Sequence, residues 1–224
     1  MGATGAYIAR NTGKVKLEPL AGTITEWNNS IRSGNRDPEI EHAALYDANG
    51  EPIVGYQGDE DSVALDSRVL RVPGGTMTHN HPDDDFGGTL SMADLNVFAR
   101  SQLKRIEAVS SQGSLYTITA GENVDRDGLR KWIRANQKLM QRNFSNSYKS
   151  ALKKATTVIK SGVHEGKVKL TNPKTGKAIY RDPMTPEQAA NYARQYSVGM
   201  FDRMYKKAFD KFGISYNSTN KAGI

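Results

Sequence analysis

The sequence predicts a mixed α/β (α+β) fold, with one sheet and flanking helices, followed by a mainly α-helical basic region. Two apolar-rich runs, 42–46 and 52–56, flank an Asn-Gly dipeptide, which favours the left-handed backbone of a tight hairpin turn. A strand-like stretch at 75–80 is followed by a helical pattern over about 92–103. Strands and a helix in this order indicate a mixed sheet, and a reversal of charge further along the chain marks the basic region.

The segments around these elements carry weaker patterns. The first 35 or so residues are rich in Gly, Thr and Asn, and they predict a short extended piece and a short helix at about 27–31. Runs at 106–111 and 114–120, joined around a Gln-Gly pair, predict two more strands. The central part of the chain is therefore predicted to contain, in order, a hairpin, a strand, a helix and a second hairpin.

The second half of the chain predicts long helices. Residues 127–160 place apolar side chains mostly at four-residue steps, which is typical of one or two amphipathic helices. A stretch at 162–185 with Gly, Pro and Asn predicts a loop or a small hairpin. A Thr-Pro-Glu start at residue 185 and Gly213 predict the two ends of a further helix. The last ten residues predict a frayed end.

Charge divides the chain into two halves. Residues 1–125 carry 10 Lys/Arg and 18 Asp/Glu, whereas residues 126–224 carry 21 and 6. Such an asymmetry indicates a domain boundary, and it falls in a stretch rich in turn formers. We therefore predict an N-terminal extension (1–36), a central domain (37–124) and a basic helical region (125–224).

Composition excludes several classes of protein. The chain has no cysteine, so neither a disulfide framework nor a Cys-based zinc site is possible. No apolar run approaches the roughly 20 residues that a helix needs to cross a bilayer. The first ten residues lack the basic start and the apolar stretch of a secretory signal. We therefore expect a soluble, cytoplasmic protein with no membrane partner.

Two of the four histidines stand one residue apart in a His-Asn-His-Pro motif. Because alternate side chains of a strand point the same way, His79 and His81 would project from one face and suit a divalent transition metal. On the helix that follows, Ser91 at the N-cap and Asp94 share a face. Asp94 can complete a His-His-Asp ligand set that leaves a position for water, as in catalytic zinc sites. The three aspartates at 83–85 predict a solvated loop.

The order His-x-His-Pro, short loop, Ser-x-x-Asp resembles the signature of the JAMM (JAB/MPN) zinc metallopeptidases, and its His-Asn-His-Pro wording resembles their RadC-like bacterial and phage branch. The resemblance covers roughly residues 38–120. It implies a JAMM or cytidine-deaminase-like mixed sheet and one Zn²⁺ per chain. For the site, it implies His79, His81 and Asp94 as zinc ligands, Ser91 as stabiliser of the tetrahedral intermediate, and an upstream glutamate as general base and acid.

Glu41 stands where the resemblance requires that glutamate, directly before the first strand of the predicted hairpin, and Glu39 is the alternative. Zinc lowers the pKa of a bound water from about 16 towards 7. A carboxylate that moves the proton to a leaving amine typically contributes about 10²–10⁴-fold. We therefore expect a metallopeptidase that hydrolyses a peptide or isopeptide bond of a protein or peptide substrate, in a bacterium or its phage.

Two other functions stay open at this point. A catalytically inert JAMM-like module would serve in the assembly of a phage or mobile element. The basic half could instead bind the phosphates of a nucleic acid, as RadC-like relatives hint. Its candidate contacts are Lys153, Lys154, Lys206 and Lys207.

Overall fold

The structure is a computed structural model that describes residues 5–82, 89–110, 113–172 and 175–219. The loop predicted at Asp83, Asp84 and Asp85 lies outside these ranges.

The described part of the chain contains both helices and strands. The helices are α1 (Ile24–Arg32), α2 (Met92–Arg100), α3 (Arg126–Thr156) and α4 (Pro186–Phe209). The strands are β1 (Gly5–Ile8), β2 (Lys16–Glu18), β3 (His42–Tyr46), β4 (Pro52–Gln57), β5 (Ser62–Leu65), β6 (Thr76–His81), β7 (Arg105–Ser110), β8 (Leu115–Ala120), β9 (Val168–Thr171), β10 (Ala178–Arg181) and β11 (Ile214–Thr219). Short 3-10 turns lie at Thr12–Lys14, Ser67–Arg71 and Asp210–Phe212.

A mixed sheet of seven strands is the centre of the fold, which confirms the predicted mixed α/β class. Its strand order is β11-β8-β7-β6-β3-β4-β2. Only β6 and β7 pair in parallel; the other neighbours in this sheet are antiparallel. The parallel pair arises because α2 connects β6 to β7 and returns the chain to the same end of the sheet.

The predicted hairpin and the predicted central helix are both present. β3 and β4 pair antiparallel across a turn in which Gly50 has a φ of 85°. That conformation costs glycine little, since it has no Cβ. Helix α2 begins at Met92 as predicted but ends at Arg100, where Ser101 takes up an extended backbone (φ −94°, ψ 173°).

The predicted frayed end is wrong for the part that the structure describes. Strand β11 pairs antiparallel with β8 along its whole length. Its buried residues, Ile214 and Tyr216, alternate with the exposed Ser215 and Asn217. This period of two is the signal of a half-buried strand, and it was present in the sequence.

Helix α1 packs on the sheet with its apolar face. Its Trp27 and Ile31 are buried against Ala44 and Tyr46 of β3 and Val109 of β7. A capping box between Thr23 and Glu26 satisfies amide groups at the start of the helix. The segment before β3 is therefore an integrated layer of the fold.

A buried polar network joins α1 to the strand that carries the two histidines. The Thr78 hydroxyl of β6 donates to Asn28 Oδ1 at 2.7 Å, and Asn28 Nδ2 donates to Glu107 Oε2 of β7 at 3.0 Å. Arg105 pairs with the other oxygen of Glu107. The network occupies the face of β6 opposite to His79 and thereby holds the orientation of the strand.

The chain divides into two compact units. Among the described residues, the first comprises those in 5–82, 89–135 and 205–219, and the second comprises those in 136–204. Residues 1–36, predicted to be an extension, contribute β1, β2 and α1 to the first unit. The second unit has its own core around parts of α3 and α4 and the β9–β10 hairpin, made of Ala151, Ala155, Val168, Leu170, Ala189, Tyr192 and Ala193.

Replacement of Asn28 tests the buried network. Asn28→Ala should lower the free energy of unfolding by about 2 kcal/mol, because it leaves the Thr78 hydroxyl and the Glu107 carboxylate without their buried partner. The measurement is chemical denaturation. Asn29→Ala, an exposed asparagine on the same helix, is the matched control and should change stability by less than about 0.5 kcal/mol. Equal stabilities of the two variants would contradict the assignment.

Candidate metal centre

Strand β6 presents two imidazoles side by side. It is an inner strand, and His79 lies between Ala43 of β3 and Ala108 of β7, whose small side chains leave room for the ring. The Nε2 atoms of His79 and His81 lie 3.0 Å apart, and the two rings meet edge to face at 4.8 Å. At most one of these nitrogens can carry a hydrogen in this geometry, so at least one lone pair points into the site.

Helix α2 brings a carboxylate to the same point. Ser91 is its N-cap, and Asp94 is the third residue of the first turn, where the two form a capping box. Asp94 Oδ1 lies 3.1 Å from His79 Nε2, and Asp94 Oδ2 lies 3.5 Å from His81 Nε2. The local capping geometry therefore aims the Asp94 carboxylate at both imidazoles.

The Asp94 carboxylate is fully buried and well satisfied. It accepts hydrogen bonds from the backbone amides of Ala6 (2.8 Å) and Ser91 (2.6 Å). Burial acts to raise the pKa of Asp94, but the neighbouring imidazoles of His79 and His81 outweigh it and hold the pKa below its usual range. The carboxylate is therefore ionised.

Glu41 supplies a second carboxylate, with the opposite environment. Its backbone is fixed by bonds from its amide to Asp59 O and from the Gly58 amide to its own carbonyl. Its Oε1 lies 4.0 Å from His79 Nε2 and 3.9 Å from His81 Nε2. Neither carboxylate oxygen has a hydrogen-bond partner among the described residues.

Burial raises the pKa of Glu41 well above its ordinary value. The charge of Asp94 acts in the same direction, whereas the charge of His81 acts in the opposite one. A buried carboxylate without hydrogen bonds is costly, and cation binding or protonation relieves that cost. Glu41 is therefore the carboxylate of the site that has no hydrogen-bond partner among the described residues.

Glu41, His79 and His81 form a buried group that could hold a metal ion, since one ligand atom from each lies within 4.8 Å of the others. The donor set fits: two nitrogen ligands at about 2.0–2.1 Å in a tetrahedron lie about 3.3 Å apart, close to the 3.0 Å between the two Nε2 atoms. The oxygens of Asp94 lie nearer to both imidazoles than Glu41 Oε1 does. Which carboxylate binds the metal stays a prediction.

Ser91 lies at the rim of this group. Its Oγ accepts a hydrogen bond from the Asp94 amide at 3.2 Å, as an N-cap does. The hydroxyl hydrogen is then the part of Ser91 that can donate to another oxygen. The structure thus brings together all the residues to which the sequence analysis gave catalytic or ligand roles, namely Glu41, His79, His81, Ser91 and Asp94.

Strand β1 is the part of the site that the sequence analysis missed. Ala6 donates its amide to Asp94 Oδ1, and the neighbouring Gly5 has a φ of 130°. A Cβ on Gly5 would lie 2.0 Å from Ser91 Oγ and 3.0 Å from Asp94 Oδ1. Glycine is therefore required where the strand passes the site. The only signal was a pair of small residues before Tyr-Ile, which is too short to indicate a strand.

The candidate nucleic-acid contacts are also placed by the structure. Lys153 and Lys154 are exposed near the end of α3, and Lys206 and Lys207 are exposed near the end of α4. Lys154 Nζ lies 6.0 Å from the centre of the Tyr196 ring. Nucleic-acid binding by these residues stays a prediction.

The other two histidines each contact a neighbouring side chain. His42 Nδ1 lies 2.9 Å from Glu18 Oε2, and the ring of His164 stacks on Tyr180 at 3.6 Å. None of the helices in the described part of the chain combines the length and the hydropathy needed to cross a bilayer.

Comparison of the chain with protein-family models, with curated proteins and with solved structures gave no match.

Removal of both imidazoles tests the metal centre. The parent protein, loaded with zinc and desalted, should hold about one zinc per chain, and His79→Ala/His81→Ala should hold almost none, because the nitrogen ligands are gone. Elemental analysis measures both. His164→Ala, which removes an exposed histidine, should bind zinc like the parent. Full zinc occupancy in the double variant would exclude this site.

The pH dependence of stability tests the state of Glu41 in the metal-free protein. A carboxyl whose pKa is higher in the folded than in the unfolded chain costs stability as pH rises above the unfolded value of about 4.3. At pH 8 the free energy of unfolding of Glu41→Gln, measured by chemical denaturation, should therefore exceed that of the parent by about 1–3 kcal/mol. The difference should shrink towards about pH 4.5. Glu39→Gln, an exposed control, should match the parent throughout. A constant or reversed difference would show that Glu41 is ionised without cost.

Proposed function

We propose that this protein is a zinc-dependent metallopeptidase of the JAMM type, which hydrolyses a peptide or isopeptide bond. The observation that carries the proposal is the convergence of two imidazole nitrogens and two buried carboxylates, one ionised and one unsatisfied, at the N-terminus of α2. The resemblance of the His-Asn-His-Pro and Ser-x-x-Asp segments to the JAMM signature supports the same chemistry.

Zinc is the ion that suits this donor set. Imidazole nitrogen and carboxylate oxygen are its usual ligands when no cysteine is available. His79, His81 and Asp94 would hold it, because the Asp94 carboxylate is ionised and lies nearest to both rings. When bound, zinc supplies a Lewis acid and a nucleophile at neutral pH. The ligand set leaves Glu41 outside it.

Glu41 has the properties of the general base and acid. Its two oxygens accept no hydrogen bond among the described residues, and burial raises its pKa well above that of an exposed glutamate. A carboxyl group whose pKa is raised holds a proton more readily, as a general base and acid must. Glu41 would take a proton from the attacking water as the new C–O bond forms. It would return that proton to the amine nitrogen as the C–N bond breaks.

Ser91 would stabilise the developing charge. Its Oγ is held by the Asp94 amide, so its position is set by the first turn of α2. From there the hydroxyl can donate to the carbonyl oxygen of the scissile amide. Donors that are fixed in advance in this way are worth about 10²–10³-fold in rate.

Glu41→Gln separates metal binding from catalysis. The variant should keep its zinc, because glutamine preserves the shape of a residue outside the ligand set. It should lose about 10²–10⁴-fold in hydrolysis, because an amide cannot carry the proton. The assay is mass spectrometry of a peptide library that contains both peptide bonds and lysine isopeptide bonds.

Glu39→Gln provides the matched control for this experiment. It changes the same residue type two positions away on an exposed side chain, and it should cleave like the parent. Cleavage at the parent rate by Glu41→Gln would remove Glu41 as the base. A loss in Glu39→Gln instead would assign the role to its neighbour.

A further inference from the structure

Strand β1 closes the candidate metal centre. Glu41, His79 and Asp94 are each 0% exposed and His81 is 5% exposed, so no amide substrate can reach them in this conformation. Two contacts hold β1 against the site. Ala6 donates its amide to Asp94, and Gly5 packs against Ser91.

The attachment of β1 is small and separate from the main sheet. Within the described residues, its ladder is a two-stranded parallel sheet with β5, in which Gly5 pairs with Ser62 and Ile8 with Leu65. Backbone bonds from Gly5 to Asp61 O (3.2 Å) and from Ala9 to Leu65 O (2.9 Å) extend it. Tyr7 and Ile8 are only half-buried. Short segments of this kind open by local unfolding at a small fraction of the global free energy.

The chemistry of the closure resembles that of a bound peptide. An extended backbone runs along a strand edge, donates an amide hydrogen to the site, and places a residue without a side chain against the Ser91 hydroxyl. Peptide recognition by addition of a strand uses the same main-chain hydrogen bonds. The edge of β5 that β1 covers is therefore already shaped for an extended peptide.

We infer that β1 is an exchangeable cap: the site is closed while β1 lies on β5, and it opens when an extended peptide takes the place of β1 on that edge. The inference rests on the proposed function only for what the opened site then does. The accessibility of the two imidazoles reports the exchange itself, in metal-free protein and without any activity.

A disulfide lock tests the closed state. Tyr7 and Ala64 are paired residues of β1 and β5, and strand neighbours lie about 4.8 Å apart, within disulfide range. The chain has no cysteine of its own. In metal-free Tyr7→Cys/Ala64→Cys, oxidation should slow the modification of His79 and His81 by diethyl pyrocarbonate, and a phosphine reductant should restore it. Equal rates in both states would overturn the inference.

Gly5→Ala tests the open state. The added Cβ meets Ser91 at a positive φ, and strain of this kind should raise the modification rate of His79 and His81 about tenfold. Gly50→Ala is the matched control, since Gly50 also has a positive φ but nothing within 4 Å, and it should react like the parent.

Two other histidines calibrate the measurement. The exposed His164 should react fast in every variant, and the buried His42 should stay protected, which distinguishes cap opening from general unfolding. Faster reaction of His79 and His81 only together with His42, or no change in Gly5→Ala, would overturn the inference. If the parent protein bound no zinc, the proposed function would be wrong, but the modification rates of His79 and His81 would not change.

A peptide probe tests the exchange. An acetylated peptide Gly-Ala-Tyr-Ile-Ala-Arg, which copies residues 5–10 and carries fluorescein at its carboxyl end, should bind Gly5→Ala in fluorescence anisotropy. It should bind the oxidised lock at least about tenfold more weakly, because the edge is then occupied. A control peptide with valine first should bind weakly, since its side chain meets Ser91. Equal affinity for the lock, or for the control peptide, would show that the vacated edge is not where the peptide binds.

Discussion

The buried carboxylate of Asp94 is the interaction on which the rest of the site depends. It contacts both imidazoles of β6, accepts the amide of Ala6 from β1, and accepts the amide of Ser91 at the start of α2. An ionised carboxylate cut off from water costs several kcal/mol unless it is paired and hydrogen-bonded. β6, α2 and β1 are therefore held together because each of them contacts or hydrogen-bonds this one carboxylate.

Glu41, the second carboxylate of the site, has the reverse environment. The difference between the two carboxylates determines which reactions the site can carry out. Asp94 is satisfied by donors and ionised, whereas Glu41 is buried at the same point, has no hydrogen-bond partner within the described part of the chain, and has a raised pKa. Two carboxyl groups whose surroundings separate their pKa values can take different roles, one as a ligand and one as a proton carrier. The backbone causes the difference, because the Ser91 amide at the start of α2 and the Ala6 amide of β1 both donate to Asp94.

Local patterns in the chain predicted the elements that depend on near neighbours. The hairpin turn, the strand at 76–81 and the N-cap at Ser91 each follow from a few adjacent residues. The two terminal strands were not predicted. β11 is stable because it pairs with β8, about a hundred positions earlier, and β1 because it pairs with β5 and bonds to Asp94, 88 positions later. Strands of four to six residues have little stability of their own, so such pairings leave only faint local signals.

The sequence by itself determined which side chains could form a metal site, because alternation along a strand and spacing along a helix are local rules that place His79, His81 and Asp94 on facing surfaces. Only the tertiary structure decided that Glu41 lies within 4.0 Å of both imidazoles with no hydrogen-bond partner among the described residues, and that β1 covers the group. Burial is a property of how distant segments pack. The exposure of a carboxylate, and with it its pKa, is therefore set by contacts that no local pattern contains.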